Sequence, residues 1–231
     1  MSSTPHYNFP GVPQLILKQT AQHQPCFFVD KDYLYYLETL EDCADEFQCH
    51  IHAYALMPDH IYLLATSHSN NGLSNMMQSL SSTYVTYIHK TYGITGSLWQ
   101  GGYKSCLLEC DPCLISCMEF VEESPLREKQ INKVDEYRWS SYYSNALHKS
   151  DSVITPHSIY MELSRNEQSR RQIYQALFAE LLDEKTTDEI KLALNAGLVL
   201  GTQAFKDKVQ AHVSTVTGKA DDECFDCVMF Y

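Results

Sequence analysis

The chain has 231 residues, with 17 Lys and Arg against 29 Asp and Glu, so its formal charge is −12 with the histidines neutral. Hydrophobic residues make up 44%, charged residues 20%, and there are only 9 Gly and 8 Pro. These figures exclude a disordered polar chain, a collagen-like repeat and a low-complexity linker, and they fit one domain, or one plus an appendage. The acidic balance argues by itself against a generic polyanion binder, because phosphate contacts rest on Lys and Arg.

Residues 12–20 alternate loosely and are rich in Leu and Ile, which predicts a strand. Residues 30–46 carry Tyr33, Leu34, Leu37, Leu40 and Ala44 at helical spacing. Residues 47–56 alternate with period two. Met57-Pro58-Asp59 predicts a turn and 60–66 a second strand, so the two pair as a hairpin. Leu73, Met76, Met77, Leu80, Tyr84, Tyr87 and Ile88 predict an amphipathic helix over 73–91, broken by Gly93 to Gly96. A strand over 103–109 and a helix from Pro112 to about Glu123, ended by Ser124-Pro125, complete the series. The order β-α-β-β-α-β plus a helix is the ferredoxin-like, split βαβ pattern: an α+β fold with an antiparallel sheet and helices on one face. Beyond it, 137–156 reads as a loop region, and helices are expected over 165–184, 188–196 (closed by Gly197) and 205–213. The expected division is therefore 1–150 as the main domain and 151–231 as a helical appendage with an acidic tail. Both are acidic: 9 Lys and Arg against 16 Asp and Glu in the first, 8 against 13 in the second.

No apolar run approaches the ~18–20 residues that span a bilayer. The first six residues carry no basic or apolar secretory signal. Nine cysteines, an odd number, then point to reduced thiols and a cytoplasmic location. Cys106, Cys110, Cys113 and Cys117 have a spacing that suggests zinc. Asp111-Pro112 starts a helix inside the set, however, and four ligands on one straight face do not close a tetrahedron, so small buried hydrophobes are expected. Cys224-Phe225-Asp226-Cys227 follows Asp221-Asp222-Glu223 without βαβ context and reads as a frayed tail.

His60 and Tyr62, at i and i+2, share a strand face. His50 and His52 do the same on the preceding strand, and three histidines converge on a metal if the register allows. Otherwise His50 and His52 are solvent-facing or hydrogen-bonded on a half-exposed sheet. Trp99-Gln100 precedes the last strand of the pattern, with Lys104 at its start. Arg127, Lys129, Lys133 and Arg138 are interleaved with Tyr137, Trp139, Tyr142 and Tyr143, the ingredients of a single-strand surface. Glu122, Glu123, Glu128, Asp135 and Glu136 dilute that signal.

Taken together these segments become recognisable. His52-Ala53-Tyr54-Ala55-Leu56-Met57-Pro58-Asp59-His60, Gly96-Ser97-Leu98-Trp99-Gln100, Tyr103-Lys104-Ser105, Phe120-Val121-Glu122-Glu123-Ser124-Pro125-Leu126-Arg127 and Tyr137-Arg138-Trp139-Ser140-Ser141-Tyr142 resemble the REP-associated tyrosine transposases, a branch of the single-tyrosine HUH transposases. The resemblance runs from about Gly11 to His212. It implies DNA binding and transposition through cleavage and joining of single-stranded hairpin DNA. It also implies Mg²⁺ or Mn²⁺ held by two histidines and a third ligand, a tyrosine nucleophile on the following helix, and a dimer in most members. The matching DNA-binding positions are Trp99, Gln100, Lys104, Arg127 and Arg138.

The chain departs from that pattern at the catalytic positions. The first metal histidine is His60, but the second position is Tyr62. The nucleophile position is Phe120, which has no hydroxyl, and the third ligand position is Ser124. These departures predict a DNA-binding protein that has lost strand cleavage. Two other readings stay open: an active metal-dependent nuclease using His50, His52 and Tyr62, and a regulatory or scaffold protein that no longer binds DNA.

Overall fold

A computed structural model describes residues 9–218, with side chains through residue 213. Cys224 and Cys227 lie outside the described residues. The elements follow the hydrophobic pattern closely: β1 (Pro13–Gln19), α1 (Asp30–Glu46), β2 (Cys49–Leu56), β3 (His60–Ser67), α2 (Gly72–Tyr92), β4 (Lys104–Leu108) and α3 (Cys110–Glu122). Asp111 is extended inside α3, so the regular turns begin at Pro112. A short α4 (Ser124–Arg127) carries the chain past Pro125, which sits in a first turn where its missing N–H costs nothing. Next come α5 (Tyr142–Asn145), α6 (Ser158–Glu162), α7 (Glu167–Leu177), α8 (Glu184–Ala196), β5 (Val199–Leu200) and α9 (Gln203–Gly218).

The sheet order is β2-β3-β1-β4-β5. The first four strands pair antiparallel, which is the split βαβ arrangement. β5 adds to β4 in parallel. One face packs Ile16, Tyr54, Ile61, Leu63 and Ala65 against α1 and α2. These are the helices the pattern expected on one face. The alternate residues Leu15, Leu17, Ala53, Ala55 and Leu64 pack on the other face against α3, α7 and α8, so later helices cover that side as well. The face of β2 switches at a bulge between Ile51 and Ala53, with His52 as the extra residue.

Asp32 fixes the first helix pair. It accepts from the Phe28 and Val29 N–H groups at the start of α1 and from the Tyr87 and Tyr92 hydroxyls of α2. Burial would raise its pKa, but these four donors hold it below the usual carboxylate value.

The helix expected over 165–184 is shorter, α7 ending at Leu177, and the one expected over 188–196 starts earlier, at Glu184. Asn166 accepts from Ser169 N to cap α7, and Asp183 accepts from Thr186 N to cap α8. The Asp183 cap, six residues after α7 has ended at Leu177, fixes the start of α8. The segment beyond 150 is tied to the sheet by β5 and by Glu109, which accepts from Thr202 N at the head of α9. The outer edge of β2 is covered in turn: Leu56 N–H donates to Trp139 O, Ser141 N–H to Tyr54 O, and Thr155 N–H to Ile51 O.

Gly72 opens α2 where no side chain fits. A Cβ there would stand 2.7 Å from Phe47 O and against the hydroxyls of Ser67 and Ser69. Gly72→Ala is expected to lower stability by about 1–3 kcal/mol, the usual cost of overpacking, read from the midpoint of urea unfolding. An unchanged midpoint would show that the Ser67 and Ser69 side chains swing away freely.

Acidic residues are unevenly placed. None precedes Asp30, and none lies between Asp59 and Glu109. β1, β3, α2, the 93–103 loop and β4 are therefore free of carboxylates.

Candidate nucleic-acid and catalytic site

β3 presents His60 and Tyr62 toward the face covered by α3, and α3 brings Phe120 to meet them. The His60 and Tyr62 rings meet edge to face with centroids 5.1 Å apart, and Tyr62 meets Phe120 the same way at 5.4 Å. Phe120 has no exposed surface. The Arg127 guanidinium lies 4.3 Å from its ring centroid. Arg127 also donates to Phe120 O and lies 3.4 Å from Glu123 Oε2. Ser124 donates its hydroxyl to Phe120 O at 2.9 Å. The four positions that match the family's catalytic set are thus one contiguous cluster, and its interior is filled by two aromatic rings.

His60 is held between carboxylates. Its Nδ1 is 2.8 Å from Asp59 Oδ1, and the second Asp59 oxygen reaches His23 Nδ1 at 2.9 Å. Its Nε2 lies 3.2 Å from Glu128 Oε1, an ion-pair separation that is off the axis of a hydrogen bond. Burial would lower the imidazole pKa, but Glu128 and then Asp59 outweigh it and the value is raised. Burial, with the Glu128 charge, pushes the Tyr62 phenol up to about 12.

The divalent metal that the resemblance implies does not fit these residues. A ligating imidazole needs a free lone pair, and both nitrogens of His60 face carboxylates on opposite sides of the ring. The Tyr62 phenol is neutral, and the Ser124 hydroxyl is committed to the α3 backbone. Among the described residues, no group of three His, Cys, Asp or Glu side chains could hold a metal ion. The histidines of β2 do not join the site either. The bulge turns His52 inward, where Nδ1 donates to Thr155 O and Nε2 accepts from the Thr66 hydroxyl, each at 2.8 Å. His50 instead points to His68. Convergence of His50, His52 and His60 is therefore corrected by the register. Of the four cysteines expected as buried hydrophobes, Cys106 and Cys117 pack in the core, with burial pushing Cys106 up to about 12, whereas Cys110 and Cys113 are half-buried.

The positions matched to DNA binding are dispersed. Trp99 is buried, next to the ammonium of Lys18. Gln100 is exposed and its N–H donates to Gln19 O. Lys104 donates to Asn195 Oδ1 on α8. Arg127 turns inward on Phe120, and Arg138 is exposed, over the Trp139 ring and 2.8 Å from Asp30. The sequence reading missed Lys18. It is buried in β1 and donates to Gly101 O and Gly102 O, so it holds the glycine turn after Gln100, and burial lowers its pKa to about 8. Its one signal was a lysine inside an apolar strand. Asp59 and Glu128 were missed as the partners of His60, because pairing across the cluster is invisible to spacing.

A four-stranded split βαβ sheet whose β3 and α3 meet around one histidine defines an α+β protein. Residues 18–124 match the family described as Transposase IS200 like. A solved structure described as the REP-associated tyrosine transposase bound to a REP hairpin has the same fold: TM-score 0.54, 12% identity, covering 63% of this chain and 85% of that one. A putative transposase from Deinococcus radiodurans is 18% identical over 56% of this chain and 94% of its own, with a TM-score of 0.36. No curated protein matches the sequence.

Proposed function

We propose that this protein is a cytoplasmic, DNA-binding member of the IS200-like family that does not cleave DNA by the tyrosine route. The observation that carries this reading is the filled cluster: Phe120 is buried without a hydroxyl between Tyr62 and Arg127, and His60 stands between Asp59 and Glu128. A phenyl ring cannot attack a phosphate, and His60 has no second histidine beside it to hold the Lewis acid, the matching position being Tyr62. The proposed partner is hairpin or single-stranded DNA, as in the relative bound to a REP hairpin. Two features support it: the family match of residues 18–124, and the stretch between Asp59 and Glu109, which includes Gln100 and Lys104 and supplies no carboxylate of its own to the overall charge of −12. In this reading residues 1–150 face the DNA and 151–231 brace them.

The test is a gel shift with labelled hairpin oligonucleotides at low salt, followed by incubation with Mn²⁺ and a denaturing gel. A salt-sensitive shift with intact DNA is expected. A covalent adduct or cut strand would overturn the loss of cleavage. No shift at low salt would overturn DNA binding and leave the scaffold reading.

A further inference from the structure

Away from the cluster of His60 and Phe120, two imidazoles meet at the other end of the hairpin. His50 lies near the start of β2 and His68 follows β3 directly, and both are solvent-exposed. His68 Nε2 is 3.0 Å from His50 Nδ1, with ring centroids 4.3 Å apart and planes at 60°. The backbone fixes this approach on both sides. His50 is paired with Thr66 in the β2–β3 ladder, and His68 N–H donates to Gln48 O at 2.9 Å.

Two nitrogens so placed cannot both carry a proton along the line between them. One donates and the other accepts, so at least one lone pair always points into the gap. The separation also matches a metal's bite. Two imidazole nitrogens about 2.0–2.1 Å from a Zn²⁺-like ion stand about 2.9 Å apart at a right angle and about 3.4 Å apart at the tetrahedral angle. An incoming cation therefore needs each exposed ring to turn its lone pair about 35–45° off the N···N line, a side-chain movement that leaves the backbone in place, and it replaces one weak N–H···N bond by two metal–nitrogen bonds. Burial lowers the pKa of His68 and a charge on His50 would lower it further, which keeps its lone pair available at neutral pH. Exposure leaves the remaining coordination positions to water.

We propose that His50 and His68 form a two-histidine surface site for a borderline divalent transition cation such as Zn²⁺, Ni²⁺ or Cu²⁺, bridging the start of β2 to the end of β3. Imidazole suits these ions, whereas Mg²⁺ and Mn²⁺ take oxygen ligands. This site shares no residue with the His60 cluster and does not depend on DNA binding.

The probe is Ni²⁺ added to the full chain, read by imidazole nuclear magnetic resonance and by the melting temperature. Paramagnetic broadening confined to His50 and His68 is expected, together with a Ni²⁺-dependent rise in melting temperature. His68→Gln and His50→Gln, both at exposed positions, should each weaken the apparent Ni²⁺ affinity at least tenfold. The double variant should be no weaker than either single one, because each half alone is not a chelate. Broadening centred on other histidines, or an unchanged affinity in His68→Gln, would overturn the assignment. Mg²⁺ in place of Ni²⁺ should give neither effect, and an equal response to Mg²⁺ would overturn it too.

Discussion

Phe120→Tyr will not create a DNA-cleaving enzyme, and it will cost about 1–3 kcal/mol of stability, the penalty of burying a hydroxyl that lacks a partner. The ring at position 120 has no exposed surface, with Tyr62 against its edge and the Arg127 guanidinium on its face. A hydroxyl added there stays inside the protein and does not reach a phosphate. Even exposed it would lack its helper, since His60 is already paired with Asp59 and Glu128. The variant should be incubated with hairpin DNA and Mn²⁺, run on a denaturing gel, and unfolded in urea beside the parent. A covalent protein–DNA band would show that the cluster opens and that a single methyl-sized change separates this chain from an active enzyme.

Glu122 gives a large pH effect. It is fully buried on α3. It accepts from Ser141 Oγ and Asn145 Nδ2 on one oxygen and from the Tyr174 hydroxyl on the other. Burial raises its pKa from the ordinary 4.5 to about 7, although the three donors pull the other way. Between those values the folded chain keeps a proton that the unfolded chain has released, so this group lowers stability as pH rises from 4.5 to 7. His52 works in the opposite direction. Burial lowers it to about 3, so it adds stability as pH rises toward 6.5. The two act in opposite directions, and Glu119, which burial also raises to about 7, adds to Glu122 in the parent's own pH profile. The difference between Glu122→Gln and the parent isolates Glu122. It should move on the order of 3 kcal/mol in favour of the glutamine between pH 4.5 and 7, read by urea unfolding at each pH. A difference that is flat in pH would mean that Glu122 ionises normally inside the fold.

The fold was legible because its signals are local. Period-two alternation marks β1 and the β2–β3 hairpin, and helical spacing marks α1 and α2, to within one or two residues. The misreadings came from interactions that spacing does not encode. The apolar spacing of Ile173, Leu177, Phe178, Leu181 and Leu182 runs on past the end of α7 at Leu177, and the Asp183 side chain caps the next helix four residues before its expected start. β5 has two residues and exists only because β4 offers an edge for it. The site divides the same way. His60, Tyr62, Phe120 and Ser124 could be placed by motif, and three-dimensional packing does bring them together. The bulge at His52 could not be read from alternation. It sends His52 inward and leaves His50 to meet His68, a residue with no motif around it. Glu122 passed for one acid among many until its three donors were seen to come from α5, α7 and the segment before α5.

The strip that covers β2 bears on how the chain can be cut. The family match ends at residue 124, but the outer hydrogen bonds of β2 are taken up by Trp139, Ser141 and Thr155. A fragment trimmed to the matched stretch would expose a row of unpaired N–H and C=O groups along an eight-residue strand, a template on which other copies can add. It would also strip Glu122 of all three of its hydrogen-bond donors. The later residues therefore act as a built-in chaperone for the sheet, ending on one side the growth that an open edge would invite.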